Sequence, residues 1–202
     1  YNMKVTIPTD LSEITLGQLQ ALTKLEGSEL NSIEMQKQTI ELLTDVERSN
    51  IDLFKLTDLN DVYSKLLSLS KRSDNLTQFV TIEGVKYGFH PNLSEISTGE
   101  FADLDTLCQD FNENLHLIMA ILYRKVTIER YGKYQIEPYD GEVEERARLF
   151  KKQLPANVVN GALVFFWTIG KDYLNDSLSS LVEEQQTKSS KTSEKDGVGI
   201  QS

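Results

Sequence analysis

The residues of this chain whose types and spacing suit chemistry are few, and each has a second reading. Glu113-Asn114-Leu115-His116 sets a carboxylate and an imidazole three positions apart on one helix face, the spacing used in di-iron helical bundles. Such a site needs a second Glu-x-x-His and two further glutamates. The only other histidine, His90, stands beside Pro91 in a loop and lacks that spacing. A partly buried polar role at a helix start suits His116 better. Glu100, Asp103, Asp105 and Asp110 supply carboxylates of the kind used for acid–base work or for a divalent cation. Glu100 and Asp103 also fall in the first turn of a helix, where the dipole favours negative charge. No Asp-x-Asp-x-Asp-Gly calcium loop accompanies them. Cys108, the single cysteine, excludes an intrachain disulfide and a Cys-based zinc site. As a nucleophile it requires a histidine beside it; between Leu104 and Phe111 on an apolar stripe it reads as a core thiol. There is no Gly-x-Ser-x-Gly elbow, no Gly-x-Gly-x-x-Gly and no Walker A sequence. The expectation is no catalytic residue, no metal and no cofactor. A metal-dependent enzyme built on Glu113 and His116 with Glu100 or Asp103 is the minor alternative.

Residues 124–152 are the most basic part of the chain, with Arg124, Lys125, Arg130, Lys133, Arg146 and Arg148. Tyr123, Tyr131, Tyr134 and Tyr139 are interleaved with them, a mixture that suits nucleic-acid stacking or a protein–protein surface. Neighbouring Glu129, Glu137, Glu142, Glu144 and Glu145 cancel most of the positive field. A solvated mixed-charge face is the default, and a protein contact surface comes second. Tyr123, Arg124, Tyr131, Tyr134, Tyr139 and Trp167 are the candidate partner-binding residues.

Helical periodicity dominates the elements that must position these groups. Thr15 and Gln18 form a capping box ahead of Leu16, Leu19 and Leu22, and that helix ends near Gly27. Further helices are expected over 32–47 and, behind Thr57, over 58–70, with a turn around 51–54. Residues 1–72 read as an N-terminal helical subdomain. Between 76 and 182 the period first changes to that of strands. Gln78–Glu83 and Val85–Phe89 flank Glu83-Gly84, a two-residue hairpin signal. Ser97 and Glu100 form a second capping box for a helix broken at Asn112. A buried helix is expected over 113–125, then a second weak hairpin around Tyr131-Gly132-Lys133. Asp140 caps a helix to Lys152, and Pro155 opens one over 156–182, apolar nearly all round in its first half. Residues 183–202 are polar and read as a disordered tail. The expected class is mostly α, a helical bundle-like fold with one or two minor β-hairpins.

Composition narrows the function classes. Among 202 residues, 39% are hydrophobic and 26% charged, an ordinary globular balance. Lys plus Arg total 21 against 31 Asp plus Glu, a formal net charge of -10. So acidic a chain suits neither sequence-independent nucleic-acid binding nor anionic membrane surfaces. The longest apolar stretch, Val158–Ile169, falls well short of the roughly 20 residues of a membrane span. The first thirty residues carry no basic segment followed by an apolar one, so no secretory signal is expected.

Several strings resemble small proteins encoded among the structural genes of tailed bacteriophages. They are Phe89-His90-Pro91-Asn92-Leu93, Ser97-Thr98-Gly99-Glu100-Phe101-Ala102-Asp103-Leu104, Asn114-Leu115-His116 leading to Met119-Ala120-Ile121-Leu122-Tyr123-Arg124, Ile136-Glu137-Pro138-Tyr139, and Gly161–Phe166. The resemblance covers about 77–174, with Ile7-Pro8 to Gly17 fitting loosely. It implies a mostly helical, non-enzymatic protein of tail assembly, closest to the tail assembly chaperones. The implied partners are tape-measure, tail-tube or baseplate proteins, with a homo-oligomer open as well. The implied location is the cytoplasm of the infected host. A permanent baseplate or head–tail connector subunit, located in the virion, is the alternative.

Overall fold

The protein is described by a computed structural model over residues 5–70 and 75–166. The helices are α1 (Leu16–Glu26), α2 (Ser32–Leu43), α3 (Arg48–Ile51) and α4 (Leu56–Leu67), followed by strands β1 (Phe79–Ile82) and β2 (Val85–Phe89). Then come α5 (Thr98–Leu107), α6 (Phe111–Leu122), β3 (Tyr123–Arg130), β4 (Lys133–Ile136) and α7 (Glu144–Gln153). A last helix, α8, occupies 156–166 of the described residues.

Local rules account for most boundaries. The Thr15 hydroxyl accepts the Gln18 N–H at 3.2 Å while the Gln18 side chain accepts the Thr15 N–H at 2.9 Å, a complete capping box at the head of α1. Ser97 and Glu100 repeat that box at the head of α5. Both hairpins turn through two residues with positive φ, Glu83 (50°) with Gly84 (77°) and Tyr131 (54°) with Gly132 (74°). That is the type I′ geometry whose twist matches the strands it joins.

The mostly-α expectation is corrected by a four-stranded antiparallel sheet, order β1-β2-β3-β4, which makes this an α+β fold. The hairpins are not two minor appendages. Tyr87, Gly88 and Phe89 pair with Lys125, Arg124 and Tyr123 and fuse them into one sheet. The fusion is possible because α6 stops at Leu122 instead of reaching 125, and Tyr123 enters β3 at φ -108°, ψ 119°. Other boundaries move for local reasons. Thr44 ends α2 early, its hydroxyl donating back to the Ile40 carbonyl at 2.6 Å. Asp140 caps a turn onto the Glu142 N–H at 2.9 Å rather than a helix, and α7 begins at Glu144. The break between α5 and α6 is a 3-10 turn at Cys108–Asp110, not Asn112. α4 starts at Leu56, ahead of Thr57.

The helices expected to form a subdomain over 1–72 share their core with later residues. Leu11, Ile14, Ile40, Leu43, Val46, Ile51, Leu59, Leu66 and Leu69 pack in one cluster with Ala156. The Leu16 N–H donates to the Leu154 carbonyl at 2.8 Å, and the Ala156 N–H to Ile14 at 2.7 Å. Residues 1–162 form a single compact unit, and a second unit begins at Leu163. The later half of the expected 156–182 helix, Trp167 and the expected tail over 183–202 lie outside the described residues.

Gly161 marks the tightest approach of α8 to its surroundings. A Cβ there would sit 2.1 Å from the Asn75 carbonyl oxygen, a backbone atom with no flexible end to yield. Alanine gains roughly 1 kcal/mol of helix propensity over glycine, but overpacking costs about 1–3 kcal/mol and more where backbone must move. The clash therefore decides the sign. Gly161→Ala is expected to lower the urea midpoint, whereas a gain in stability would place α8 elsewhere.

Candidate functional site

Five of the candidate residues, His90, Glu100, Asp103, Arg124 and Tyr139, meet around one buried ion pair. Arg124 is 3% exposed and Glu100 4%. The guanidinium donates to Glu100 Oε1, while the other carboxylate oxygen accepts the Ser97 N–H at 2.8 Å. Glu100 thus closes a helix cap and holds a strand through one side chain. His90 Nε2 lies 3.5 Å from the same Oε1, and its Nδ1 accepts the Asn92 N–H at 3.3 Å. Since Nδ1 accepts, the ring proton sits on Nε2 and faces the carboxylate. Tyr139 lies with its ring centroid 5.7 Å from the Arg124 guanidinium and donates its hydroxyl to Asp103. The cluster ties the start of α5, the end of β2, the start of β3 and the segment after β4 to one point.

Burial pushes the Glu100 carboxyl up, but the Ser97 hydrogen bonds and the Arg124 and His90 neighbours outweigh it and hold it below its ordinary value. Burial lowers His90 despite the facing carboxylate, and it lowers Arg124. Arg124 Nε has no hydrogen-bond partner among the described residues. A buried donor left so costs roughly 1–3 kcal/mol. With Nδ1 occupied and Nε2 facing Glu100, His90 has no nitrogen free to take a proton from a substrate. The arrangement is that of a structural latch.

The other candidates are dispersed. Tyr123 is fully buried, its ring edge-on to Phe89 at 5.3 Å and its hydroxyl donating to the Thr77 carbonyl at 2.6 Å. Tyr134 is half-buried, its ring edge-on to Phe79 at 4.6 Å. Tyr131 is fully exposed at the β3–β4 turn. No common surface presents these side chains, and a partner reaching Tyr123 or Arg124 would have to open the fold. Elsewhere, Glu113 pairs with Lys24 at 2.8 Å instead of turning to His116. His116 Nδ1 lies 3.3 Å from Gln20 Nε2, which also donates to the Asn112 carbonyl at 2.6 Å. Cys108 is half-buried at the end of α5, and burial raises its thiol, which opposes thiolate chemistry. Among the described residues, no three His, Cys, Asp or Glu side chains come together as a metal site. No described helix is long and apolar enough to cross a membrane.

The histidines make stability depend on pH. His90 and His116 both titrate below the ordinary 6.5, chiefly because burial disfavours the imidazolium. The unfolded chain therefore binds protons first as the pH falls. The stability this contributes is complete above about pH 6.5 and is lost progressively below it. Glu100, also lowered, adds a further loss as the pH falls past its ordinary 4.5. Urea midpoints are expected to fall between pH 7 and 5.5, and a His90→Gln/His116→Gln chain should flatten that limb. An unchanged slope in the double variant would contradict the burial of both rings.

Comparison of the chain with protein-family models, curated proteins and solved structures finds no match in any of the three.

Proposed function

We propose that this chain is a non-enzymatic bacteriophage assembly protein, a tail assembly chaperone acting through protein–protein contacts. One observation carries the reading. The strings that resemble phage proteins are separated in sequence, yet His90, Glu100, Arg124 and Tyr139 from four of them meet at the latch. Residues from four of the resembling strings thus belong to one three-dimensional unit of this chain. The second support is how the reactive side chains are used. Glu100, His90, Glu113 and His116 are all engaged in contacts that hold elements together. The tape-measure, tail-tube and baseplate proteins are the proposed partners, met in the cytoplasm of the infected host.

A permanent virion subunit is the second reading, and the sheet is what favours it. β2 pairs with β3 only over Tyr123–Lys125, so the rest of the β3–β4 hairpin runs on beyond it. β4 has no second strand neighbour among the described residues, an edge open to lateral addition in a ring. Two tests separate these readings from an enzyme and from each other. Cys108→Ala and His116→Ala chains should support phage production at the wild-type level. Loss of function in folded His116→Ala would overturn the non-enzymatic reading. Detection of the chain in purified mature particles at a fixed ring stoichiometry would replace the chaperone by the structural subunit.

A further inference from the structure

The sheet ends at β4, which pairs with β3 on one side and, among the described residues, with no strand on the other. The Glu137 N–H donates inward to the Lys125 carbonyl at 2.9 Å, and Arg130 and Lys133 face each other across the hairpin turn. Alternation along an antiparallel strand then points the N–H and C=O of Tyr134 and Ile136 outward. None of these backbone groups has a partner among the described residues. The side chains supply a second sign. Arg130 stands directly opposite Lys133, a like-charge pair that opposes the hairpin. Neither cation has an ion-pair partner among the described residues. Glu137 follows Lys133 and Gln135 on one face of the chain. It accepts from Arg146 at 2.6 Å through Oε1, which leaves Oε2 without a partner among the described residues. Ile128, opposite Gln135, is 49% exposed, and Tyr131 at the turn is fully exposed.

A second copy of the same strand answers both signs. When a two-fold axis stands normal to a continuous sheet, opposed residues lie on the same face, so the pairing is centred on a residue. Centred on Gln135, it sets Tyr134 against Ile136 of the second copy, and each such pair exchanges both N–H···O=C bonds. Lys133 then lies opposite Glu137 of the second copy, and the reciprocal pair follows by symmetry. Each Lys133 gains the counter-charge that Arg130 denies it. Centring on Tyr134 would instead set Lys133 against Gln135 and lose the ion pairs. Centring on Ile136 would set Tyr134 against Pro138, which has no N–H to give. We propose that β4 pairs antiparallel with β4 of a second copy in the register centred on Gln135, joining two sheets into one in a closed dimer. The inference goes beyond the functional reading above and does not depend on it. A ring would need a different contact, with β4 of one copy against another surface of the next.

Sedimentation velocity of the full chain over a range of concentrations should show a monomer–dimer equilibrium. Lys133→Glu turns both cross-copy ion pairs into like-charge pairs and should weaken the dimer by about tenfold. At a dilution where wild type is monomeric, its urea midpoint should be no lower than wild type, because the repulsion from Arg130 is gone. A weaker dimer in this variant is then not a failure to fold. Register is read by cross-linking in a Cys108→Ala background. Opposed Gln135 residues form a non-hydrogen-bonded pair with Cα atoms about 4.5 Å apart, within the roughly 4.4–6.8 Å of a disulfide. Gln135→Cys should therefore oxidise to a covalent dimer. Lys133→Cys, offset from its copy by about 13 Å at ~3.3 Å per residue, should not. A chain that stays monomeric at every concentration would overturn the proposal, as would a ring of more than two copies. So would a dimer unchanged in Lys133→Glu, or one in which Gln135→Cys cross-links no faster than Lys133→Cys. Each of these results leaves the assembly reading standing, since that reading is tested by the virion proteins recovered from infected cells. Recovery of none would overturn the assembly reading and leave the dimer result unaffected.

Discussion

Replacing Arg124 with alanine should destabilise the fold by about 3–5 kcal/mol, the range for removing one partner of a buried ion pair. The cause is less the lost attraction than what remains. Glu100, 4% exposed in the native fold, would keep of the latch only the Ser97 N–H and the His90 ring. Either the carboxylate takes a proton or water enters between α5 and β3. At roughly 2–4 °C per kcal/mol for a chain of this size, the loss is on the order of 10 °C in Tm. Glu100→Gln/Arg124→Met, which removes both charges and keeps an acceptor for Ser97, should recover much of it. Arg124 Nε also lacks a hydrogen-bond partner among the described residues, which reduces what the pair contributes. Urea denaturation at pH 7 reads both variants. A loss under about 1 kcal/mol in Arg124→Ala, the range of exposed pairs, would contradict the buried latch.

Phe150→Ala should cost a comparable amount, about 3–5 kcal/mol, by a different mechanism. Phe150 is fully buried on the inner face of α7 beside Ala147 and Leu154. Its ring meets Tyr87 of β2 edge-on at 5.0 Å, so it joins the helix layer to the sheet. Truncation leaves a cavity walled by elements fixed from both sides. α7 is held through the Leu154 carbonyl to Leu16, and β2 between β1 and β3. Neither can collapse freely, which places the cost in the upper part of the range. Phe150→Leu should recover about half. A cost below about 1.5 kcal/mol would mean that the sheet does not rest on α7.

What the sequence made legible was local. Thr15 with Gln18, Ser97 with Glu100, and Glu83-Gly84 each need only a few adjacent residues to form, and all three formed as read. The sheet was not legible because its central pairing, Gly88 with Arg124, joins residues far apart in the chain. From Leu117 to Tyr123 the chain is apolar without a breaker. Nothing local stops a helix at Leu122, and only the partner strand draws Tyr123 into β3. The latch was missed for a related reason. The capping box and the helix dipole account for Glu100, and the basic run that follows accounts for Arg124. Each explanation was sufficient alone, and neither required the other. One signal was present: Tyr123 and Arg124 follow a continuous apolar run, and both end up buried on opposite sides of one strand. His90 gives no sequence signal because it stands in a Pro-containing loop, yet its Nε2 lies 3.5 Å from Glu100.

On the proposed reading the chain acts by binding proteins of the phage particle and carries out no reaction. Affinity purification of the tagged full chain from infected cells, with mass spectrometry of what is retained, tests it most directly. Tape-measure or tail-tube proteins should be recovered, and the chain itself should be missing from mature particles. Recovery of no virion protein at all would contradict the account.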